Sequence, residues 1–156
     1  MDLRLNLNSE TVDHAHPTDA LIVTPDTRVC DVLAIMKERN RSSVTVCSVG
    51  GGELVGIFTE RDAVRLLAGS ADLEVPIEQV MVREVVTLTQ RDTVAKAIAM
   101  MWEGGYRRLP ILDEAGRPVG MLGVAGVLHY MVEHFPDVVY TLPPQPHAAS
   151  QERDGA

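Results

Sequence analysis

The chain has 156 residues, of which 46% are hydrophobic and 23% charged, and its formal net charge is −8 at pH 7. This length suits one compact domain or two small units with a shared core, and it is too short for a barrel or a two-domain enzyme. The negative charge argues against binding to nucleic acid or to an anionic membrane, because both need a positive field. No apolar run approaches the roughly 20 residues of a membrane-spanning helix, and the first ten residues lack the pattern of a signal peptide, so we expect a cytoplasmic protein.

Residues 1–17 precede the regular pattern of the chain and form an N-terminal extension. Leu3, Leu5 and Leu7 alternate with other residues there, which is typical of a short strand. We expect this segment to add an edge strand or to pair with a partner.

Beyond this extension the chain contains the same unit twice. Segment 21–46 aligns without gaps on a later segment, so that Thr24 corresponds to Thr89, 65 positions further on. Apolar residues recur at i, i+3, i+4 and i+7 in both copies, at Val29, Val32, Leu33 and Met36 in the first and at Val94, Ala97, Ile98 and Met101 in the second. This period predicts a helix with one buried face in each copy. Thr27 and Asp92 stand where the helix N-cap is expected.

Two short apolar runs follow each of these helices. Residues 44–47 and 109–112 are each followed by a turn rich in Gly or Asp and by a second run that ends in Gly56 or Gly120. This pattern predicts a β-hairpin in each copy.

A further helix closes each copy, with Gly69 as the stop of the first and Pro136 as the end of the second. Each unit is therefore β-α-β-β-α, an α/β (α+β) pattern. A unit of about 60 residues buries too little apolar surface alone, so we expect the two to pack sheet to sheet. The segments are residues 18–70 for the first repeat, 71–83 for the connection, 84–136 for the second repeat and 137–156 for a tail expected to be disordered.

The repeated unit resembles the tandem CBS module, a pair of cystathionine-β-synthase-type domains also called the Bateman module. The resemblance rests on the duplication and on VGIFTERDAVRLL (55–67), VMVREVVTL (80–88) and YRRLPILDEAGRPVGML (106–122), and it covers residues 18–135. It implies two repeats related by a pseudo-twofold axis, with adenosine-containing ligands bound in the clefts between their sheets. It also implies frequent dimerisation into a flat disc.

The G-h-x-T-x-x-D motif of the first copy contains Thr59 and Asp62, at a turn from strand to helix that we call the first elbow (residues 59–62). A carboxylate can accept hydrogen bonds from both ribose hydroxyls, while a threonine hydroxyl and the helix N-terminal amides face a phosphate. The resemblance implies that Asp62 holds the ribose and that Thr59 lies beside the phosphate. The alternative is that Thr59 caps the helix and Asp62 complements its dipole.

Arg107 and Arg108 precede a strand of the second copy, where the first copy has Ser42 and Ser43. Guanidinium groups suit phosphate because they are permanently charged and bind it in a bidentate manner. The resemblance implies that the two arginines reach across the pseudo-twofold axis to the phosphate, and Arg61 is a further candidate. The alternative is a solvated pair that makes surface ion pairs with Asp or Glu.

The second copy has Gly123, Val124, Ala125 and Gly126 in place of TERD, and we call these residues the second elbow. With no carboxylate for a ribose there, we expect one nucleotide site per chain, centred on Asp62.

The resemblance also places the adenine against the first strand of its repeat. Candidate contacts are Thr18, Ala20, Leu21 and Ile57.

Other chemistry finds little support in the sequence. His14 and His16 flank one residue and His129 and His134 are five apart, and neither pair is joined by a Cys or carboxylate at metal-site spacing. We therefore predict no metal site. Neither a nucleophile elbow nor a P-loop is present, and we predict no catalytic activity.

These observations predict a regulatory module that binds an adenine nucleotide and signals by a change in shape or partner affinity, with no cofactor required. AMP is favoured over ADP and ATP because the basic cluster is small. We expect a homodimer through apolar helix faces that include Leu66, Leu67, Met131 and Phe135. The alternatives are a ligand-free protein–protein interaction module with a vestigial cleft and a sensor of S-adenosylmethionine or NAD. An enzyme accessory or metal-responsive subunit is a further alternative, which only the scattered histidines favour.

Overall fold

A computed structural model describes residues 3–137, and the side chains of residues 6–137. After a short helix α1 (Leu3–Ser9), the first repeat comprises β1 (Ile22–Val23), α2 (Val29–Glu38), β2 (Ser43–Cys47), β3 (Leu54–Thr59) and α3 (Glu60–Ala68). The second repeat comprises β4 (Leu88–Thr89), α4 (Val94–Gly104), β5 (Arg108–Leu112), β6 (Pro118–Gly123) and α5 (Val124–His134). The order confirms the two predicted β-α-β-β-α units. Residues 138–156 of the predicted tail lie outside the described residues.

Each repeat contains one three-stranded sheet of the same topology. β1 is parallel to β2 and β2 antiparallel to β3, with a bulge between Val46 and Cys47, and the second sheet repeats this order with a bulge between Ile111 and Leu112. The predicted hairpins are thus confirmed. Their loops turn at glycines with positive φ, such as Gly116 at +77°, a conformation that disfavours other residues.

Both faces of each sheet are buried. The helices cover one face, where Val44 and Val46 are fully buried in the first repeat. On the opposite face Thr45 is 0% exposed and Met121 of the other repeat is 4% exposed. The two helix-free faces therefore meet, and the Leu54 amide donates to the Gly116 carbonyl at 3.0 Å across the junction.

The segments before the two repeats are exchanged between their cores. Ile77, from the segment before β4, lies in the core of the first repeat, and Val12, from the segment before β1, lies in the core of the second. The exchange follows the pseudo-twofold axis, because Thr18 pairs with Met121 of β6 just as Val82 pairs with Ile57 of β3. The domain boundaries drawn from the sequence remain predictions, but neither segment is a mere spacer.

The predicted helix faces are confirmed, but both predicted N-caps are wrong by one residue. α2 begins after Arg28, and α4 begins after Thr93, whose hydroxyl accepts from the Lys96 amide at 3.2 Å. Asp92 instead accepts from the Thr89 amide at 2.7 Å, so its carboxylate closes the preceding turn.

The predicted edge strand at the N-terminus is also wrong, because residues 3–9 form helix α1, which packs against α4. Alternate leucines also suit a helix, since Leu3 and Leu7 are separated by four positions, and Leu7 packs on the second core. Among residues 3–137 no helix has the length and apolar character to cross a bilayer.

The apolar outer face differs from the one predicted for a dimer contact. Phe135 is only 5% exposed and belongs to the second core, and Leu66 and Met131 pack against their own cores. Leu67 is 57% exposed, as predicted for a free surface, and Val64 on the same helix is 66% exposed. Leu128, at the position of α5 equivalent to Val64, is 60% exposed.

Candidate functional site

The first elbow is a capping box at the start of α3. The Thr59 amide and the Thr59 hydroxyl each donate to Asp62 Oδ2 at 2.9 Å, and the Asp62 amide donates to Thr59 Oγ1 at 3.5 Å. The capping role considered for these two residues is therefore present. Within the described residues, the other carboxylate oxygen of Asp62 lies 3.8 Å from Arg65 Nη1, although Asp62 is just 9% exposed.

The strand register places the serine pair and the arginine pair at equivalent positions. Ser43 pairs with Thr59 and Arg108 pairs with Gly123. The Ser42 carbonyl accepts from the Glu60 amide at 3.0 Å, and the Arg107 carbonyl accepts from the Val124 amide at 3.1 Å. Each pair therefore lies directly beside the elbow of its own repeat.

A small cavity of about 10 Å³ joins the two repeats at this point. Its lining comes from both repeats and consists of Thr18, Asp19, Leu21, Arg41, Ser42, Ser43, Arg108 and Met121. The Ser42 hydroxyl is shielded from solvent and has no hydrogen-bond partner in the described part of the chain. Arg108 thus shares a cavity with the serines that flank the first elbow.

The basic candidates have no partner of opposite charge in the part of the chain that the structure describes. Arg61, Arg107 and Arg108 are exposed, and within residues 3–137 none of them forms a salt bridge. The surface ion pairs considered for Arg107 and Arg108 are absent from this part of the chain, and Arg61 forms none with the adjacent Glu60. Their charge is therefore available to an anion from solution.

The candidates for adenine contact are only partly brought together. Thr18 and Leu21 line the cavity, whereas Ala20 and Ile57 do not. The Leu21 carbonyl accepts from the Thr45 amide at 2.8 Å and from its hydroxyl at 3.0 Å. Ile57 is half-buried, and its backbone exchanges two hydrogen bonds of 2.9 Å with Val82.

Asp19, Arg41 and Met121 line the cavity but were not proposed from the sequence as ligand contacts. Asp19 lies between the proposed contacts Thr18 and Ala20, and Arg41 precedes the serine pair. Met121 stands in the second repeat where Ile57 stands in the first, so the repeat was a usable signal for it.

The second elbow has neither a carboxylate nor room for one. A Cβ at Gly126 would overlap the carbonyl oxygen of Ala15 and would lie 2.9 Å from that of His16. The backbone of residues 15–16 therefore occupies the space that an aspartate would need. Gly123 caps α5 without any side-chain hydrogen bond.

A cluster of two histidines and a glutamate was not predicted from the sequence. His16 Nε2 and Glu133 Oε2 form a hydrogen bond of 2.6 Å, and His129 Nε2 lies 3.0 Å from Glu133 Oε1. The hydrogen bond from His16 is the main reason that the pKa of the Glu133 carboxyl is lowered. The spacing of His129 and Glu133, four residues apart on one helix, was the available signal.

The fold and the cleft define a tandem pair of β-α-β-β-α repeats that meet across a pseudo-twofold axis. A family model for the CBS domain matches residues 13–69 and 77–133. The chain belongs to the CBS domain family.

Relatives share the paired repeats within proteins of different lengths. A 17.7 kDa protein from the bps2 3′ region of Acidianus ambivalens is 29% identical over 116 residues, which span 74% of this chain and 70% of the relative. An inosine-5′-monophosphate dehydrogenase of Thermoplasma acidophilum is 29% identical over 119 residues, 76% of this chain but only 23% of the enzyme. The dehydrogenase activity therefore does not transfer to this chain.

Solved structures share the fold at low sequence identity. CBSX2 in complex with AMP has a TM-score of 0.70 and 22% identity, and the match covers 80% of this chain and 97% of CBSX2. The CBS domain pair of protein MJ0100, in complex with 5′-methylthioadenosine and S-adenosyl-L-methionine, has a TM-score of 0.69 and 21% identity, and the match covers 76% of this chain and 97% of that pair.

Proposed function

We propose that this chain is a non-catalytic regulatory module that binds one adenine nucleotide, with AMP preferred, between the first elbow and Arg108. The observation that carries the proposal is the position of Arg108, which forms no salt bridge among the described residues, in a cavity shared with Ser42 and Ser43 beside the Thr59–Asp62 cap.

The groups around the cleft match the parts of a nucleotide. The Asp62 oxygen that the cap leaves open accepts a ribose hydroxyl, because a carboxylate has acceptor capacity beyond the two bonds from Thr59. Arg108 binds the phosphate, with Arg107 and Arg61 as neighbouring charges and the α3 N-terminus as a further source of amides. Thr18, Ala20, Leu21 and Ile57 provide the surface for the base.

Binding requires the cleft to widen. A cavity of about 10 Å³ holds one water molecule rather than a nucleotide. The exposed Arg108 side chain, which has no salt bridge in the described part of the chain, can rotate outward at little cost. A ligand that binds only the widened cleft favours that arrangement of the repeats, and this population shift is the proposed signal.

The ligands of the structural neighbours support an adenosine compound without choosing among them. AMP is named for CBSX2, and 5′-methylthioadenosine and S-adenosylmethionine for the MJ0100 pair. A small set of arginines in a chain of net charge −8 favours a monophosphate over a triphosphate. We further propose a cytoplasmic homodimer through exposed apolar side chains of α3 and α5, which include Val64, Leu67 and Leu128.

Calorimetric titration of the full chain with AMP, ADP, ATP, S-adenosylmethionine and NAD tests the proposal. We expect one AMP per chain and a loss of affinity of at least roughly 10-fold in both Arg108→Ala and Asp62→Asn, since each removes a charged hydrogen bond. Asp62→Asn retains an oxygen for the Thr59 amide and so preserves the cap. Arg91→Ala is the matched control, because its ion pair with Glu114 is 88% exposed on both sides and contributes little.

Several outcomes would contradict the proposal. If none of the five compounds binds, the result would favour the ligand-free interaction module. Unchanged AMP affinity in both site variants would show that AMP binds outside this cleft. Two nucleotides per chain would refute the single site. Sedimentation of the same samples as monomers at micromolar concentration would refute the dimer.

A further inference from the structure

The strongest unassigned feature is a cluster of His16, His129 and Glu133 on the outer side of the second repeat. One atom from each side chain can be chosen so that all three lie within 4.8 Å of one another. The Glu133 carboxylate bridges the two imidazoles, with Nε2–O distances of 2.6 Å to His16 and 3.0 Å to His129. The rings are stacked, with centroids 4.2 Å apart and planes 22° from parallel.

We propose that His16, His129 and Glu133 form a binding site for a divalent transition-metal ion such as Zn²⁺. Two imidazole nitrogens and one carboxylate oxygen are the donors that zinc accepts, with bonds of about 2.0 to 2.2 Å, and three protein ligands leave a position for water. Mg²⁺ and Ca²⁺ prefer an all-oxygen shell and fit this donor set poorly.

The backbone holds these ligands in place. His129 and Glu133 are one turn apart on α5, and His16 comes from a segment more than 100 positions away. His16 has φ of +52°, in the left-handed region that non-glycine residues rarely adopt. This conformation occurs where residues 15–16 lie against Gly126, one turn of α5 before His129. The close packing at Gly126 therefore brings His16 to the helix.

Metal binding requires only a modest rearrangement. Each Nε2 faces a carboxylate oxygen of Glu133, and a metal ion would take the place of a proton carried by either nitrogen. Ligand atoms on a tetrahedral ion with bonds near 2.1 Å are about 3.4 Å apart, so the two N–O distances must lengthen by less than about 1 Å. The side chains are 41%, 60% and 43% exposed for His16, His129 and Glu133, so they can move and the ion can enter from solvent.

An ion in this position would tie the N-terminal segment to α5 above the second elbow. The site uses none of the residues proposed to bind the nucleotide, so either proposal can fail without the other. Its consequence is that metal stabilises the contact between residues 15–16 and α5, which keeps the second elbow closed.

Titration of tag-free full chain with ZnCl₂, and with CoCl₂ for its visible absorption, tests the site. We expect one ion per chain and a rise in melting temperature with Zn²⁺. His129→Ala and Glu133→Gln should each weaken Zn²⁺ binding by at least roughly 10-fold, a loss that even outer-shell partners of a metal cause. Both replaced side chains are exposed on α5, and circular dichroism checks that the variants fold.

The control is a His14→Ala/His147→Ala double variant, which removes two histidines outside the cluster. Unchanged Zn²⁺ binding in this variant supports the site. Absence of stoichiometric binding by the unmodified chain would overturn the proposal and leave a hydrogen-bonded His–Glu–His cluster. Equal binding by His129→Ala, or loss of binding in the double variant alone, would place the ion elsewhere and would also overturn it.

Discussion

Thr59 and Gly123 hold equivalent positions, each at the end of a strand and the start of a helix, but the two elbows are built differently. At the first elbow, Thr59 and Asp62 form a capping box with one carboxylate oxygen left open. At the second elbow, Gly126 stands in the position of Asp62 and lies under the backbone of Ala15 and His16. The same scaffold therefore supports a polar cleft in one half and a closed backbone contact in the other.

The charge across the cleft follows the same asymmetry. Arg108 stands where the first repeat has Ser43, and it lines a cavity with that serine. An anion bound at the first elbow would share the cleft with Arg108 from the opposite repeat, whereas the equivalent position opposite the second elbow holds Ser43. Duplication supplied two equivalent clefts, and side-chain differences at a few residue positions restrict the proposed binding to one of them.

Ile77→Ala is expected to have the largest effect on stability. It tests whether each repeat depends on the segment that precedes the other. Ile77 is 0% exposed in the first core although it precedes the second repeat. Its truncation should lower the free energy of unfolding by about 3 kcal/mol, as for other buried Ile→Ala changes. Urea denaturation followed by circular dichroism measures the loss, and the exposed neighbour provides the control variant Glu78→Ala. A loss below about 1 kcal/mol would mean that the two halves are less interdependent than their packing indicates.

Gly126→Asp tests the closed second elbow directly, because it restores the carboxylate of the first. From sequence alone, an acidic residue at this position of a helix would be expected to stabilise it. The overlap with the Ala15 carbonyl predicts the opposite, a loss of about 2 kcal/mol in the free energy of unfolding. Ala125→Asp is the control, since it adds the same charge to the same turn at an exposed position.

The Gly126→Asp result also bears on the number of nucleotide sites. Destabilisation in this variant, with Ala125→Asp at the stability of the unmodified chain, supports a closed elbow. A stable Gly126→Asp protein that binds two nucleotides would contradict the closed elbow. It would show that residues 15–16 can move away from α5 and that the second cleft lacked only a carboxylate.

Features that depend on local pattern could be predicted from the sequence. The apolar spacing from Val29 to Met36 and from Val94 to Met101 is set by contact with one core, so it predicted α2 and α4. The equivalence of Arg108 and Ser43 followed from the repeat alone. These inferences needed no knowledge of which segment packs against which.

Features that depend on long-range packing could not be predicted in this way. His16 and Glu133 are 117 positions apart, and nothing in either local sequence indicates that they meet. The placement of Val12 and Ile77 in the core of the other repeat could not be predicted from the sequence for the same reason. The first elbow is an intermediate case, because T-x-x-D predicts a cap and a nucleotide contact alike, and the structure shows that the cap leaves one oxygen of Asp62 open.

Tyr130→Phe is expected to have the smallest effect at neutral pH and tests how the N-terminal segment is held on the second repeat. Tyr130 is 0% exposed and its hydroxyl donates to Glu10 Oε2 at 2.6 Å, whereas the first repeat has Leu66 at the equivalent position of α3. Loss of this hydrogen bond should cost about 1 kcal/mol at pH 7, because Glu10 is only half-buried and water can replace the donor.

The pH dependence separates this hydrogen bond from general packing. Burial, and then the hydrogen bond to Glu10, raise the pKa of Tyr130 to about 12. The unfolded chain releases the Tyr130 hydroxyl proton near pH 10, while the folded chain retains it. The contribution of Tyr130 to the free energy of unfolding is therefore fully present below pH 10 and is lost as the pH rises towards 12. Urea denaturation from pH 8 to pH 11 should show this decline in the unmodified chain and a shallower one in Tyr130→Phe. Tyr106→Phe, which alters an exposed ring, is the matched control. If the free energy of unfolding falls equally with pH in all three proteins, Tyr130 does not anchor the N-terminal segment.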